Sequence, residues 1–465
     1  MSDKQAPREK PAGEGGLQLP RDPKMIALAV GAPILIVVFT SSLLGMNFFM
    51  ALLLGLFLLV RILFPQDGRV TVAVVVLAIA WAVALPFMHE EGGEFLSIST
   101  LILAYAVMAL GLNIIVGFAG LLDFGYVAFF ALGALMAGWF MSDFYSNAGD
   151  KQEGIHVGVA EATSNLFGIH LNFLVVVVIA MVVCTIAGMI IGLPTLRLRG
   201  DYIAVVTLAF GEIIGRIVAN GDQLKYGDAP IVGGVLTDVF GKGATFSAGR
   251  EGITPIDKIF LPFTDEPFKS LNLRPWFLVA LVMVLVVLFV NYRLRDSRLG
   301  RAWIALREDE VAAASMGVPL VKTKLLAYGT GAAFGGVAGA FLASRLSVVN
   351  ADQFQFYFSI FILAMVILGG LGSIEGVLIG AGVLVYVNYK FIPDLNTKPR
   401  EWLNLDLDLS ELSSGIYGFL LVIMMLLRPQ GLIPERRRKL ELVEHVGSGQ
   451  TIGMGDDDSA YEARA

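Results

Sequence analysis

Apolar runs long enough to cross a bilayer recur from one end of this sequence to the other. They fall at Met25–Leu44, Asn47–Leu63, Val70–Met88, Ser97–Gly117, Leu121–Met141, Leu171–Leu193, Tyr202–Ala219, Trp276–Asn291, Leu325–Ser344, Phe354–Leu371, Gly376–Tyr389 and Leu412–Leu427. In hydrocarbon every backbone N–H and C=O must be satisfied within the protein, so so many runs can fold only as a bundle of membrane helices. The expected fold class is an all-α polytopic membrane protein of about 10–12 transmembrane helices, some of them broken or re-entrant. Composition agrees: 56% of residues are hydrophobic and 16% charged, against about 25% charged in soluble domains, and mean hydropathy is +0.73. The single cysteine, Cys184, excludes a disulfide within the chain, and no pair of the four histidines has helical ligand spacing, so no metal site is expected. The run at Met25–Leu44 is longer than a signal-peptide core and is read as a retained anchor.

Basic residues set the orientation. With the N-terminus in the cytoplasm, alternation puts 22 of the 34 Lys and Arg inside: five in residues 1–24, Arg61 and Arg69, Arg197 and Arg199, seven in 293–324 and six from Arg428 onward. Six of the remainder lie in the long loop 220–275, where long loops count least. Both termini are therefore expected in the cytoplasm, with 1–24 and 436–465 as cytoplasmic tails and 220–275 as an external loop that could form a small cap.

The same alternation places Leu299–Leu320 in the cytoplasm. This polar, helix-prone stretch lies between two apolar runs and reads as one helix closed by a turn at Gly317 and Pro319. Arg307, Glu308, Asp309 and Glu310 form a compact charged block, and the small residues that follow, among them Ala312 and Ala313, would let another protein approach closely. It has the character of a docking element. Arg301 and its neighbouring arginines are explained largely as positive-inside anchors.

Two stretches interrupt the apolar pattern. Ala109–Gly125 carries Gly111, Gly117, Gly120 and Gly125 with Asn113 and Asp123, and Leu368–Gly382 carries Gly369, Gly370, Gly372 and Gly376 with Ser373 and Glu375. A helix broken inside the bilayer exposes backbone groups, which only protein or a water-filled path can cover. The shared pattern hints at an internal repeat, and close packing explains many of the glycines equally well. Gly331, Gly335 and Gly339 recur every four residues and predict one tightly packed helix face. Acidic residues in the core, chiefly Asp123, Glu212 and Glu375, are read as lying near segment ends, which argues against an ion-coupled carrier. No phosphate loop, nucleophile elbow or zinc motif occurs, so an energy source must come from another chain.

Five ordered segments carry a resemblance: GLNIIVGFAGLLDFGYVAFFALGA (111–134), LPTLRLRGDYIAVVTLAFGEIIG (193–215), GRAWIALREDEVAAASMGV (300–318), ILGGLGSIEGVLIGA (367–381) and RPQGLIPE (428–435). Together they resemble the LivM family of permease subunits in bacterial branched-chain amino acid ABC transporters, from about Leu96 to Glu435, after an additional N-terminal region at 25–95. Urea and amide ABC permeases look similar, and a standalone secondary carrier is the alternative from another class. The resemblance implies an ABC importer permease fold at 96–435, with a second LivH-like permease, two cytoplasmic ATP-binding subunits that use the ATP, and a periplasmic substrate-binding protein. It implies no enzyme activity and no cofactor in this chain, membrane lipid as surroundings, no nucleic acid, and the bacterial inner membrane as location. Residues 300–318 would be the coupling helix: the EAA-type pattern of ABC importers survives as Val311, Ala312, Ala313 and Gly317, with valine in place of glutamate, no later I-x-L-P, and Glu308–Glu310 as substitutes. The expected coupling residues are Arg301, Arg307, Glu308, Asp309, Glu310, Ala312, Ala313 and Gly317; the expected path residues are Asn113, Gly117, Gly120, Asp123, Gly125, Gly369, Gly370 and Gly372. Helix ends near Asn113 and Gly117 would meet the zwitterionic head of the substrate through their dipoles.

Overall fold

A computed structural model describes residues 68–145, 155–159, 167–195, 201–226, 240, 244–261, 266–393, 415, 418–419, 422, 426 and 431–433. The expected spans at 25–44 and 47–63, most of 412–427 and both tails lie outside the described residues. The chain divides into two compact units, Met1–Ser97 and Ile98–Ala465. In the first, helix α1 (Gly68–Ala84) runs into a 3-10 turn at Leu85–Phe87.

Helix α2 (Glu94–Leu112) continues through a π-helical turn at Asn113–Phe118. After a loop come α3 (Val127–Phe140), strands β1 (Met141–Ser142), β2 (Ile155–Val157) and β3 (Ile169–Leu171), then α4 (Phe173–Thr195) and α5 (Asp201–Ala219). Beyond the long loop follow α6 (Arg274–Asp296), α7 (Arg298–Glu308), α8 (Glu310–Ser315), α9 (Leu320–Leu346), α10 (Phe356–Gly369) and α11 (Ile374–Tyr386), the last prolonged by a π turn to Phe391. Six described helices are long and apolar enough to cross a membrane, and Val76–Phe87, α3 and α10 are shorter apolar helices. The chain is a polytopic helical membrane protein.

Burial separates the spans. The most apolar windows of Glu94–Phe118 and of α9 are 83% and 78% buried, whereas those of α4, α5 and α6 are 28–33% buried, so α2 and α9 are central and the others carry the outer faces. Small residues make that centre possible. The α9 glycines at 331, 335 and 339 face Ile115, Phe129 and the Phe130 backbone, while Gly336 faces Cys184 and Ala180 of α4 and meets Gly133 of α3 backbone to backbone. Glycine faces of this kind bring helices close where no hydrophobic driving force between them exists.

Helices α3 and α10 have 14 residues each, about 21 Å at 1.5 Å per residue, against a hydrocarbon layer of about 30 Å. Each abuts one of the glycine-broken stretches, whose residues are mostly buried in protein, with Gly120, Leu122 and Glu375 among the exposed ones. Glu212 is a correction to the sequence reading. It lies in the interior of α5 and not near its end.

One end of the bundle carries an element that the all-α reading omitted. The three strands form a sheet in the order β1-β3-β2, β1 antiparallel and β2 parallel to β3, with Met141 opposite His170 and His156 opposite His170. Bridges Ser142–Ile256 and Ile253–Val349 tie it to the 220–275 loop and to the end of α9. His170 is the pin: its Nδ1 lies 2.6 Å from Asp257, its Nε2 lies 3.1 Å from Asp143, and the His156 ring stacks on it at 5.3 Å. Burial disfavours the charged ring, but the hydrogen bond and charge of Asp257, the Phe167 carbonyl and Asp143 outweigh it and raise the His170 pKa. A raised folded-state pKa stabilises below the unfolded value of about 6.5 and is lost as pH rises through the folded value. Protease resistance of the three-stranded sheet will therefore fall as pH is raised above neutrality, and His170→Gln will flatten that dependence; an unchanged slope in the variant would assign it to another group.

Candidate functional site

The opposite end of α9 gathers the two glycine-broken stretches and the polar helix pair. Local sequence explains each piece. Ser297 caps α7 by accepting from the Gly300 N–H at 3.1 Å. Asp309 has extended backbone and accepts from the N–H groups of Val311 and Ala312 at 2.8 and 3.0 Å. That cap ends one helix and begins another, so the single helix expected over 299–320 is two. The strongest N-cap side chain in the stretch prevailed over the helix propensity around it. Gly317, at φ +84, turns the chain toward α9.

The π turn shifts the backbone hydrogen bonds of 113–118 and leaves the Gly117 carbonyl for another donor, as such turns do at functional sites. The Arg307 guanidinium donates to it. Gly120, at φ +70, lies against the Arg307 stem, where a Cβ would come 2.7 Å from Arg307 Cγ. Asn113 Oδ1 accepts from the Gly372 N–H at 3.0 Å, and a Cβ on Gly117 would come 2.6 Å from the Gly372 nitrogen. The two breaks thus meet each other, and α7 meets the first of them.

The second break has its own brace. Gly370 and Gly372 take φ +122 and +84, and Ser373 caps α11 through the Gly376 N–H at 3.1 Å. Leu432 and Ile433 donate to the carbonyls of Leu368 and Gly369 at 2.8 and 3.0 Å, which places residues 431–433 against it. Asp123 and Gly125 do not join this junction. Asp123 is buried, accepts from the Gly125 N–H at 2.8 Å and sits in a loop whose Phe124 N–H donates to Thr207 of α5 at 3.0 Å. Among the described residues, Asn113 Nδ2 and Asp123 Oδ2 are buried without a hydrogen-bond partner.

The expected coupling residues divide by exposure. Arg301, Glu308, Asp309, Ala312 and Gly317 are exposed, whereas Ala313 is buried and cannot touch a partner chain directly. Glu310 turns back to Lys324 at 2.6 Å, whose side chain is only 4% exposed, so its charge neutralises a buried ammonium of its own chain. Sequence reasoning left out of the coupling set two exposed large apolar side chains of α8 and its turn, Val311 at 68% and Met316 at 85% exposure, although Val311 is part of the EAA-type pattern. It also missed Lys324, Thr207 and Leu432–Ile433. Thr207 and Leu432–Ile433 carry a sequence signal, as parts of the segments 193–215 and 428–435 without an assigned role, and Lys324 carries none.

The comparisons agree over most of the chain. The family described as "Branched-chain amino acid transport system / permease component" matches residues 94–425. The high-affinity branched-chain amino acid transport system permease protein LivM of Escherichia coli K12 is 36% identical over 379 residues, 82% of this chain and 78% of that protein. The probable branched-chain amino acid transport permease LivM of Methanocaldococcus jannaschii is 25% identical over 345 residues, 71% of this chain and 91% of that one. LivH of Escherichia coli K12 is 33% identical over 109 residues, 23% of this chain and 34% of LivH. No solved structure gives a significant match. With its helical membrane bundle and a family match spanning both breaks and the polar helix pair, the chain belongs to the branched-chain amino acid transport system permease family.

Proposed function

We propose that this chain is one permease subunit of an ABC importer, forming with a second, LivH-like permease the path for leucine, isoleucine and valine across the bacterial inner membrane. Two ATP-binding subunits dock on α7–α8 from the cytoplasm, where both termini lie, and a periplasmic binding protein delivers substrate at the end that carries the sheet. The observation that carries the reading is the Arg307–Gly117 bond: an exposed polar helix pair is tied directly to the break in the most buried membrane helix. Motion of the docked ATPases reaches α7 through the exposed Val311 and Met316, and Arg307 passes it to the π turn. From there Asn113 and Gly372 pass it to the second break, so both glycine stretches move together. Asn113, Gly117, Gly120, Gly369, Gly370 and Gly372 form the inner part of the path in this scheme, and Asp123 and Gly125 brace it from the buried side of α5.

The test is co-purification. The tagged full chain, extracted from its native membrane in mild detergent, should bring down two ATP-binding subunits and a second permease. Met316→Asp should lose the ATP-binding subunits and keep the permease, because a carboxylate would be buried in an apolar contact. A wild-type chain that comes down alone would reject the reading.

A further inference from the structure

Helix α5 presents two unlike faces. Ala204, Thr207, Gly211 and Val218 are buried; Gly211 packs against Gly125, and Thr207 holds the Phe124 N–H. On the other side Tyr202, Val205, Ala209, Glu212, Ile213 and Arg216 are exposed. Spacings of three and four residues put these on one stripe.

The stripe cannot face lipid. The span runs from Tyr202 to Ala219, which places Glu212 about 15 Å from one end and about 11 Å from the other at 1.5 Å per residue. An ionised carboxylate at that depth is costly in hydrocarbon, and glutamate is too short to reach the interface as lysine or arginine can. Arg216 sits one turn nearer the end that carries the sheet, and among the described residues neither charge has an ion-pair partner. An exposed acid and base at membrane depth need water and a counter-charge.

We infer that the exposed stripe of α5 lines the translocation path and holds the head of a zwitterionic aliphatic amino acid, Glu212 taking the ammonium and Arg216 the carboxylate. Their i, i+4 spacing sets the two side chains about 6 Å apart at Cβ, close enough for long side chains to converge on the two charges of one α-amino acid. Tyr202, Val205 and Ile213 on the same stripe suit an aliphatic side chain. The charges also have an order. Substrate arriving from the sheet end meets Arg216 first and Glu212 deeper, while Gly211 and Thr207 on the back of the helix connect the stripe to the loop after the first break. This inference rests on the proposed function and adds the residues that would recognise its substrate.

Thiol labelling tests it in the full chain within native membrane vesicles. Cys184 is the one native cysteine and is buried, so it gives a quiet background. Ala209→Cys and Ile213→Cys leave both charges intact, and Val178→Cys and Val286→Cys, at exposed apolar positions of α4 and α6, serve as lipid-facing controls. A charged, membrane-impermeant methanethiosulfonate should label the two stripe positions at least about tenfold faster than the controls, because only a hydrated thiol ionises and reacts. Leucine should slow that labelling, and Glu212→Gln should abolish the protection while Glu212→Asp retains it. Labelling as slow as at the controls would place the stripe against lipid or a dry partner interface and overturn the inference. Fast labelling that no aliphatic amino acid slows, in vesicles that take up leucine, would overturn the assignment of substrate to Glu212 and Arg216. If wild-type vesicles take up no leucine, the proposed function itself fails, and with it the substrate assignment.

Discussion

An Arg307→Ala chain will still assemble with its partners, and their ATP hydrolysis will continue, but leucine uptake will fall by about tenfold to a hundredfold. A hydrogen bond to a charged group contributes about 1.5–3 kcal/mol, and about 1.4 kcal/mol corresponds to a factor of ten. The bond at stake joins the Arg307 guanidinium to the Gly117 carbonyl that the π turn leaves free. Its loss removes the strap between α7 and the broken span without touching the exposed Val311 and Met316, so docking and hydrolysis are spared while transmission is not. Arg307→Lys should recover only part of the uptake, because the lysine keeps the stem that lies along Gly120 but lacks the planar fork that reaches the Gly117 carbonyl. Uptake per ATP hydrolysed is the readout. Parallel loss of uptake and hydrolysis would show that Arg307 serves docking instead.

A Gly133→Val chain will not accumulate as folded protein. A Cβ at 133 would come 2.5 Å from Gly336 Cα, and the obstacle is backbone, which cannot rotate away as a side chain can. Overpacking of a core costs about 1–3 kcal/mol where neighbours can relax, and here two central helices would have to separate along their crossing. Monodisperse protein recovered in mild detergent should drop below about a tenth of wild type, taking 1.4 kcal/mol per decade. Gly317→Ala is the contrast. Nothing lies within 4 Å of a Cβ there, so only the left-handed backbone, at φ +84, resists, at about 1–2 kcal/mol. Its yield should fall less than that of Gly133→Val, because no backbone has to move apart to admit the methyl group. Equal losses in the two variants would mean that conformational strain, and not close helix approach, dominates.

Much of the helical order is legible in the sequence because hydrocarbon demands long apolar segments. The runs at Trp276–Asn291 and Leu325–Ser344 lie inside the observed α6 (Arg274–Asp296) and α9 (Leu320–Leu346), whose flanking charges hide their true ends. The face made by Gly331, Gly335 and Gly339 is legible too, since a four-residue spacing admits one geometry. The sheet is not, because strands of two or three residues carry no period. Nor is the junction between the breaks: Asn113 and Gly372 are 259 residues apart, and no local pattern pairs them. The division of the coupling stretch at Asp309 was within reach, since an aspartate two and three residues before unpaired N–H groups is an N-cap signal, but the alanines around it suggested continuity. Glu310 and Ala313 show a further limit. Sequence placed both in a docking surface by their neighbours, and the fold turns one toward Lys324 and buries the other.

On the proposed function, this chain moves its substrate only when coupled to ATP-driven partners. The most direct measurement is uptake of radiolabelled leucine into sealed vesicles bearing the complete assembly and supplied with its binding protein, with ATP either present or absent on the face that carries α7 and α8. Uptake should require both ATP and the binding protein and persist when ionophores collapse every ion gradient. Uptake by the chain alone, driven by an ion gradient and indifferent to ATP, would contradict it.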